Sequence, residues 1–270
     1  MDAYPYNSAH PHDGPGPARP SGWEKVKKAF LPLAGLGYLL VKFKAVLFGI
    51  FKFLPVLLKT GGSMFITIWV YAMSWGWWFA FGFVMLIFVH ECGHLIAAKR
   101  LGLKVGAPVF IPFMGAFIAL KEAPRNAWIE AQVGIGGPLL GTLGAAVCYG
   151  IYLVTGNPMF AALTYTGFFL NLFNLAPIGF LDGGRIATAL SPWLWIAGTV
   201  VVGYLMVTQF NFILLFIFVC SLPRLLSLFR RRTDEEARYF EVTPNQRWIM
   251  GMLYFGLIAF LVLGMKFTHV

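Results

Sequence analysis

The chain has 270 residues, of which 59% are hydrophobic and only 12% are charged. A soluble domain carries about 25% charged residues, so this composition and the long apolar runs indicate an integral membrane protein. The formal net charge is +10. Its lysines and arginines lie between the apolar runs, a pattern typical of membrane orientation, and we expect no nucleic-acid partner. The three cysteines lie inside apolar segments, which favours buried thiols over a disulfide framework.

The first 62 residues differ in composition from the remainder. Residues 1–22 are rich in Pro, Gly and polar residues, which predicts a disordered tail. Residues 23–62 mix apolar stretches with lysines, which predicts an amphipathic region on the membrane surface. A hairpin that enters the membrane between residues 29 and 58 fits the same composition.

Residues 63–270 carry the apolar runs of a helical membrane domain. The run from 63 to 100 is too long for one span, and the SWGWW stretch at 74–78 predicts a break between two helices. The fold class is therefore an all-α polytopic membrane protein with about six transmembrane helices, a re-entrant hairpin and an N-terminal amphipathic region. The second of the two helices runs from about Trp77 to Arg100, and further spans are expected at 128–154, 158–175, 192–207, 210–228 and 247–265.

The charges between the spans predict an orientation. Lys and Arg are absent from the turns at 155–157 and 208–209 and collect on the opposite side, including Lys99, Arg100 and the cluster 230–232. By the positive-inside rule that side is cytoplasmic. The helix of residues 77–100 then descends toward the cytoplasm.

The sequence HECGH at 90–94 interrupts an apolar run and carries the first candidate site. Residues four apart share one face of a helix, so His90 and His94 can bind one zinc ion, and Glu91 can act as a general base. An acidic side chain at mid-bilayer costs about 3 kcal/mol by insertion scales. A functional site is therefore a better explanation than chance.

A catalytic zinc needs a third protein ligand, and Asp182 is the acid that falls among apolar residues, at the end of a predicted span. Pro177 must end the preceding helix, and the glycines around Asp182 would permit an irregular backbone that aims it inward. The alternative is that Asp182 is an interfacial ion-pair partner of Arg185.

Two motifs together, HExxH and the later N-x-x-P-x-x-x-L-D-G at 174–183, resemble the site-2 protease family of intramembrane zinc metalloproteases. The matching core covers residues 77–190, within an intramembrane metalloprotease domain of 63–270. The resemblance implies one zinc per chain held by His90, His94 and Asp182, with Glu91 as the base. It implies cleavage of membrane-protein substrates near the cytoplasmic face, and we expect a prokaryotic plasma membrane. The sequence departs from some family members, because we expect neither an inserted PDZ domain nor a nucleotide-sensing domain. Asn174 corresponds to an active-site asparagine that binds substrate or the developing oxyanion, although a plain interhelical contact is the alternative. Asn171 is expected to be such a contact.

The segment 108–120, PVFIPFMGAFIAL, is too broken by Pro and Gly for a span. We interpret it as a re-entrant hairpin whose edge, at Phe117, pairs with an extended substrate, or else as a loop that only covers the core. The glycines of GIGGPLLG at 134–141 predict close helix packing that shapes the site.

Two other functions remain alternatives. A catalytically silent membrane adaptor would be expected to have lost Glu91, which is present. A metal transporter would carry polar residues along several helices, whereas here they cluster at one depth.

Overall fold

The computed structural model describes residues 42, 44, 59–113, 115–230 and 233–268. The chain divides into the units Met1–Pro55 and Val56–Val270, and all the described residues except 42 and 44 belong to the second unit. The predicted tail and nearly all of the amphipathic region lie outside the described residues. In chain order the elements are α1 (59–75), α2 (Trp77–Arg100), β1 (Val105–Ile111), β2 (Gly115–Leu120), α3 (Ala127–Thr155), α4 (Pro158–Asn174), α5 (Asp182–Leu190), α6 (Trp193–Thr208), α7 (Phe212–Leu226), α8 (Asp234–Tyr239) and α9 (Pro244–Phe267).

The helix boundaries follow local signals in the sequence. Gly76 separates α1 from α2 with φ 78°, a conformation that glycine adopts without strain, so the predicted break at 74–78 is confirmed. Gly156 ends α3 in the left-handed conformation, and the Asn157 side chain then caps α4 by accepting from the Met159 amide. These signals place the helix ends within a few residues of the predicted bounds.

Membrane-crossing capacity is concentrated in three of the described helices. By length and composition α2, α3 and α9 could cross a membrane. Helix α6 and residues Leu214–Leu226 of α7 are also apolar but shorter. The mostly helical architecture agrees with the predicted fold class. The count of six spans and the re-entrant placement of the hairpin remain predictions.

Helices α2 and α3 pack with their backbones in close contact. A Cβ on Gly93 would lie 2.1 Å from the Gly136 carbonyl oxygen, and one on Gly136 would lie 2.8 Å from the Gly93 oxygen. Only glycine fits at such a crossing. Helix α4 lies against the same pair, and α5 and α9 complete a core that includes Ile135, Phe168 and Ile186.

Strands β1 and β2 form an antiparallel hairpin, with Val109 opposite Phe117 and Phe110 opposite Ala116. The hairpin begins at Val105, earlier than the predicted start at Pro108. Hydrogen bonds tie β1 to α1: Thr60 Oγ1 donates to the Pro108 carbonyl at 2.8 Å, and the Phe110 amide donates to Ser63 Oγ at 3.1 Å. These hydrogen bonds hold β1 against α1, and both strands also contact α2.

The segment between α4 and α5 corrects one expectation. Asp182 was predicted in an irregular turn opened by glycine, but it begins α5, and the turn occupies residues 175–181. Gly183 and Gly184 do not have positive φ. These glycines instead allow close backbone packing. A Cβ on Gly183 would lie 2.0 Å from the Leu175 carbonyl oxygen, and one on Gly184 would lie 2.4 Å from the Ile178 carbonyl oxygen. These glycines let α5 start directly against the backbone of the turn.

The helix crossing predicts unequal effects for two alanine substitutions. Gly93→Ala should lower the free energy of unfolding by about 1–3 kcal/mol, because a methyl group must displace the α3 backbone. Gly150→Ala is the matched control, since a Cβ there meets nothing within 4 Å and alanine favours helix by up to about 1 kcal/mol. Thermal unfolding in detergent measures both. Equal midpoints for the two variants would show that the crossing tolerates a side chain.

Candidate metal centre

Helix α2 directs three polar side chains into the core from otherwise apolar surroundings. His90, Glu91 and His94 are all buried. His90 and His94 are four residues apart and therefore share a helix face. Their ring centroids are 4.8 Å apart. The first turn of α5 approaches this face and brings Asp182, also buried, against both rings.

Three ligand-type atoms converge at one point. His90 Nε2 lies 3.1 Å from Asp182 Oδ2, His94 Nε2 lies 3.2 Å from the same oxygen, and the two Nε2 atoms are 3.1 Å apart. In a tetrahedral zinc site with bonds of 2.0–2.2 Å, ligand atoms are separated by about 3.3 Å. The triangle therefore has almost the size that zinc requires.

The opposite ring nitrogens are fixed by hydrogen bonds. His90 Nδ1 donates to Asn171 Oδ1 at 2.8 Å, and His94 Nδ1 donates to the Val133 carbonyl at 2.7 Å. Asn171 Nδ2 donates to the Gly167 carbonyl at 2.7 Å, which establishes that its oxygen faces His90. Because each Nδ1 carries the proton, each Nε2 offers a lone pair toward Asp182.

This arrangement fits a bound cation. Two imidazole lone pairs and a carboxylate oxygen face one another at 3.1–3.2 Å, and three electron-pair donors repel unless a positive charge lies among them. Two nitrogens and one oxygen form a common donor set for catalytic zinc. The residues present therefore fit the metal that the sequence predicted.

Helix α3 supplies a glycine wall behind the centre. A Cβ on Gly137 would lie 2.2 Å from His94 Nε2, and one on Gly141 would lie 2.2 Å from Asn171 Oδ1. The predicted close packing of GIGGPLLG is thus present, and it extends to the side chains of the centre. Asn171 makes the expected interhelical contact, but its significance was missed, because a lone asparagine in an apolar helix does not reveal which partner it meets.

A cavity of about 850 Å³ opens from the centre and holds the remaining predicted site residues. Glu91 lines it, lies within 4.8 Å of the histidine ligand atoms, and makes no hydrogen bond or ion pair with the described residues. Phe117 lines the hairpin side of the cavity, and Asn174 lines it from the end of α4. The Asn174 side chain donates to the Leu170 carbonyl at 3.0 Å, which leaves its oxygen uncommitted within this part of the chain.

A second polar cluster borders the same cavity and was not predicted. Arg224 Nη2 donates to both carboxylate oxygens of Glu130, at 2.9 and 3.0 Å, and to Thr188 Oγ1 at 2.7 Å. The guanidinium also lies 5.0 Å from the Trp195 ring centroid. Asp182 is therefore one of several buried acids, and Arg224 holds α3, α5 and α7 together through Glu130 and Thr188.

Tyr239 extends this cluster into α8, outside the membrane-spanning helices. Its hydroxyl donates to Glu130 Oε2 at 2.8 Å. Burial, and then the negative charge of Glu130, raise the pKa of Tyr239 well above its usual value. The phenol therefore stays protonated and remains a donor throughout the physiological pH range.

The cluster predicts a large effect from a single substitution. Arg224→Met should lower the free energy of unfolding by roughly 3 kcal/mol, because it leaves the Glu130 carboxylate buried without its cation. The double variant Glu130→Gln, Arg224→Met should recover part of that loss. Unfolding midpoints in detergent provide the comparison.

The control for this prediction is Lys104→Met. It breaks an ion pair with Glu122 in which the side chains are 74% and 49% exposed, and exposed pairs contribute little. A loss in Arg224→Met no greater than that in Lys104→Met would show that the cluster does not stabilise the fold.

Comparison with known proteins points to one family. Residues 78–165 match the family described as Peptidase family M50, a range that contains HECGH and ends before Asp182. The resemblance to site-2 proteases that the two motifs predicted is thereby confirmed.

Two curated zinc metalloproteases are similar to part of this chain. The chain is 29% identical over 124 residues to the zinc metalloprotease MJ0392 of Methanocaldococcus jannaschii, covering 44% of this chain and 35% of the relative. It is 27% identical over 150 residues to the probable chloroplastic zinc metalloprotease EGY2 of Oryza sativa, covering 39% of this chain and 27% of the relative. The chain thus matches about a third of the length of these relatives.

Proposed function

We propose that this protein is an intramembrane zinc endopeptidase that hydrolyses peptide bonds in or near the transmembrane segments of membrane-protein substrates. The observation that carries the proposal is the convergence of His90 Nε2, His94 Nε2 and Asp182 Oδ2 within 3.2 Å. Glu91 stands beside this triangle at the wall of a large cavity. The family match and the names of the relatives support it.

His90, His94 and Asp182 would hold one zinc ion per chain. When bound, zinc polarises the scissile carbonyl and makes water more acidic. The protein orients the ligands: Asn171 and the Val133 carbonyl hold the imidazoles, and the first turn of α5 favours the negative charge of Asp182.

Glu91 is the proposed proton carrier. Its carboxylate accepts a proton from the attacking water as the water oxygen bonds to the scissile carbon. The same proton then passes to the peptide nitrogen as the carbon–nitrogen bond breaks, so the amine product leaves neutral. Glu91 suits this role because it faces the cavity and is not committed to another described residue.

The substrate is proposed to lie extended along the outer edge of β2. The amide of Phe110 points away from β2, toward Ser63, so the Phe110–Ala116 pair is not hydrogen-bonded across the hairpin. Alternation then turns the backbone groups of Ala116 and Ile118 outward, while those of Phe117 face Val109. The expectation that Phe117 itself pairs with the substrate backbone is therefore corrected, because its backbone faces Val109. In this proposal the Phe117 ring contacts the substrate, and Ala116 and Ile118 pair with the substrate backbone.

Asn174 is proposed to contact the substrate from the opposite wall. Its side-chain oxygen can accept from a substrate amide, whereas its nitrogen is shared with the Leu170 carbonyl. Between the two walls, aromatic rings of Phe83, Phe173 and Phe180 make the cavity apolar, as an unwound membrane segment requires.

The centre is proposed to face the cytoplasm at membrane depth. Counting 1.5 Å per residue along α2, His90 lies about 18 Å from Trp78 and His94 lies about 9 Å from Arg100. Lys99 and Arg100 mark the nearer end as cytoplasmic by the positive-inside rule. Water would then reach Glu91 through the cavity from that side.

Metal content and cleavage separate the proposed roles. Glu91→Gln should retain one zinc per chain but abolish cleavage, because the amide cannot accept the proton. Asp182→Ala should weaken zinc binding by at least about 10-fold, because an anionic ligand is lost. Zinc is measured on the purified proteins, and cleavage by comparing membrane-protein fragments in cells that express each variant.

Three outcomes would contradict these roles. Unchanged zinc affinity in Asp182→Ala would remove Asp182 from the ligand set. The same fragments with zinc-loaded Glu91→Gln would show that Glu91 is not the base. Identical fragment patterns with and without the wild-type protein would favour the catalytically silent adaptor.

Orientation can be tested independently of activity. Single cysteines replacing Thr155 and Lys121, in a protein lacking its native thiols, should react with an impermeant maleimide from opposite sides of the membrane. Both positions are exposed, so folding does not hide them. Reaction of both from one side would overturn the proposed orientation and the depth of the centre.

A further inference from the structure

We infer that Arg185 is a catalytic residue that donates hydrogen bonds to the scissile carbonyl oxygen as negative charge develops on it. The inference rests on the proposed function and adds a residue that neither the two motifs nor the family match assigns. It is carried by the contrast between the two arginines that line the cavity.

Arg185 is held close to the metal centre by its place on α5. It lies one turn after Asp182, and a Cβ on Gly134 would be 3.2 Å from the Arg185 Cβ, so its stem packs against α3. The side chain is 20% exposed, and it lines the same cavity as His90 and Glu91. The Arg185 side chain therefore borders the cavity in which a substrate carbonyl would lie.

The guanidinium of Arg185 has N–H donors that make no hydrogen bond with the described residues. Its contact with protein charge is Nη1 to Asp182 Oδ1 at 3.8 Å, which is too long for a hydrogen bond. It makes no hydrogen bond to any residue in the described part of the chain. An arginine carries five N–H donors and remains charged at all physiological pH values, so a largely buried one with free donors is suited to an anionic ligand.

Arg224 shows what a structural arginine in this cavity looks like. Its guanidinium is engaged by both oxygens of Glu130, by Thr188 and by the ring of Trp195. Arg224 is therefore paired with a counter-ion, Glu130. The acid nearest to Arg185 is Asp182, whose Oδ2 faces the imidazoles. Its charge is shared with the metal centre, so the Arg185 guanidinium remains available to a substrate oxygen.

Hydrolysis of a peptide places negative charge on the carbonyl oxygen when water adds to the carbon. A donor fixed beforehand at that oxygen stabilises the transition state, and removal of one such donor typically lowers kcat by about 10²–10³-fold. In this mechanism Glu91 transfers the proton, and Arg185 stabilises the negative charge on the carbonyl oxygen. The two tasks require opposite charges within one cavity, as observed.

The competing role is that Arg185 only orients Asp182, which would make it a positioning residue. A pair of ligands distinguishes these roles without a known substrate. The first is the phosphinic pseudodipeptide of N-acetyl-phenylalanine and leucine amide, whose charged oxygens imitate the tetrahedral species. The second is the hydroxamic acid of N-acetyl-leucine, which binds chiefly through the metal. Both are titrated into the purified, zinc-loaded protein in detergent by calorimetry.

Arg185→Met should keep its zinc and lose about 10–100-fold in phosphinate affinity, as expected for a charge-assisted hydrogen bond. Its hydroxamate affinity should change by less than about 3-fold on the same reasoning. Arg185→Lys should fall between, because it keeps the charge without the planar fork. Arg100→Met, which removes an exposed arginine outside the cavity, should behave as wild type.

Each other result has a definite meaning. Equal phosphinate affinity in Arg185→Met and wild type would overturn the inference. Loss of zinc, or an equal loss for both ligands, would overturn it in favour of the positioning role. If Arg185→Met does not fold, Arg185→Lys decides by the same two comparisons. A wild-type protein that binds neither zinc nor either ligand would instead refute the proposed function.

Discussion

The structure depends on one electrostatic constraint: two imidazole lone pairs and a carboxylate oxygen face one another within 3.2 Å in a core lined by apolar residues. Such a group of acceptors is tolerable only if something positive lies among them. The surroundings enforce it, because Asn171 and the Val133 carbonyl occupy the outer ring nitrogens. The arrangement of these side chains therefore favours a cation at this point of the core.

Close helix contact makes this constraint possible. Helix α3 approaches α2 at Gly93 and Gly136, and its glycines at 137 and 141 leave room for the imidazoles and for Asn171. Larger residues would either separate the helices or fill the centre. Packing and the geometry of the metal centre are thus coupled through the same few positions. Gly183 and Gly184, which let α5 begin against its turn, extend the same principle to Asp182.

Much of this was predictable from the sequence, for physical reasons. Apolar runs and the break at Gly76 predict the long helices, and the spacing of His90 and His94 predicts a shared face. Asp182 stands out because a buried acid is costly. The short helices α5 and α8 were missed, since neither has an apolar period long enough to detect. The pairing of Glu130 with Arg224 was missed because residues 94 positions apart leave no local pattern that links them.

The attachment of the hairpin to α1 limits where another strand can add to the sheet. A two-stranded sheet has two edges able to recruit any passing strand, which is a hazard for aggregation. Here Thr60 and Ser63 occupy backbone groups along the outer edge of β1. The β1 edge is thereby occupied at two positions, so a further strand meets open backbone groups on the β2 side, where Ala116 and Ile118 line the cavity.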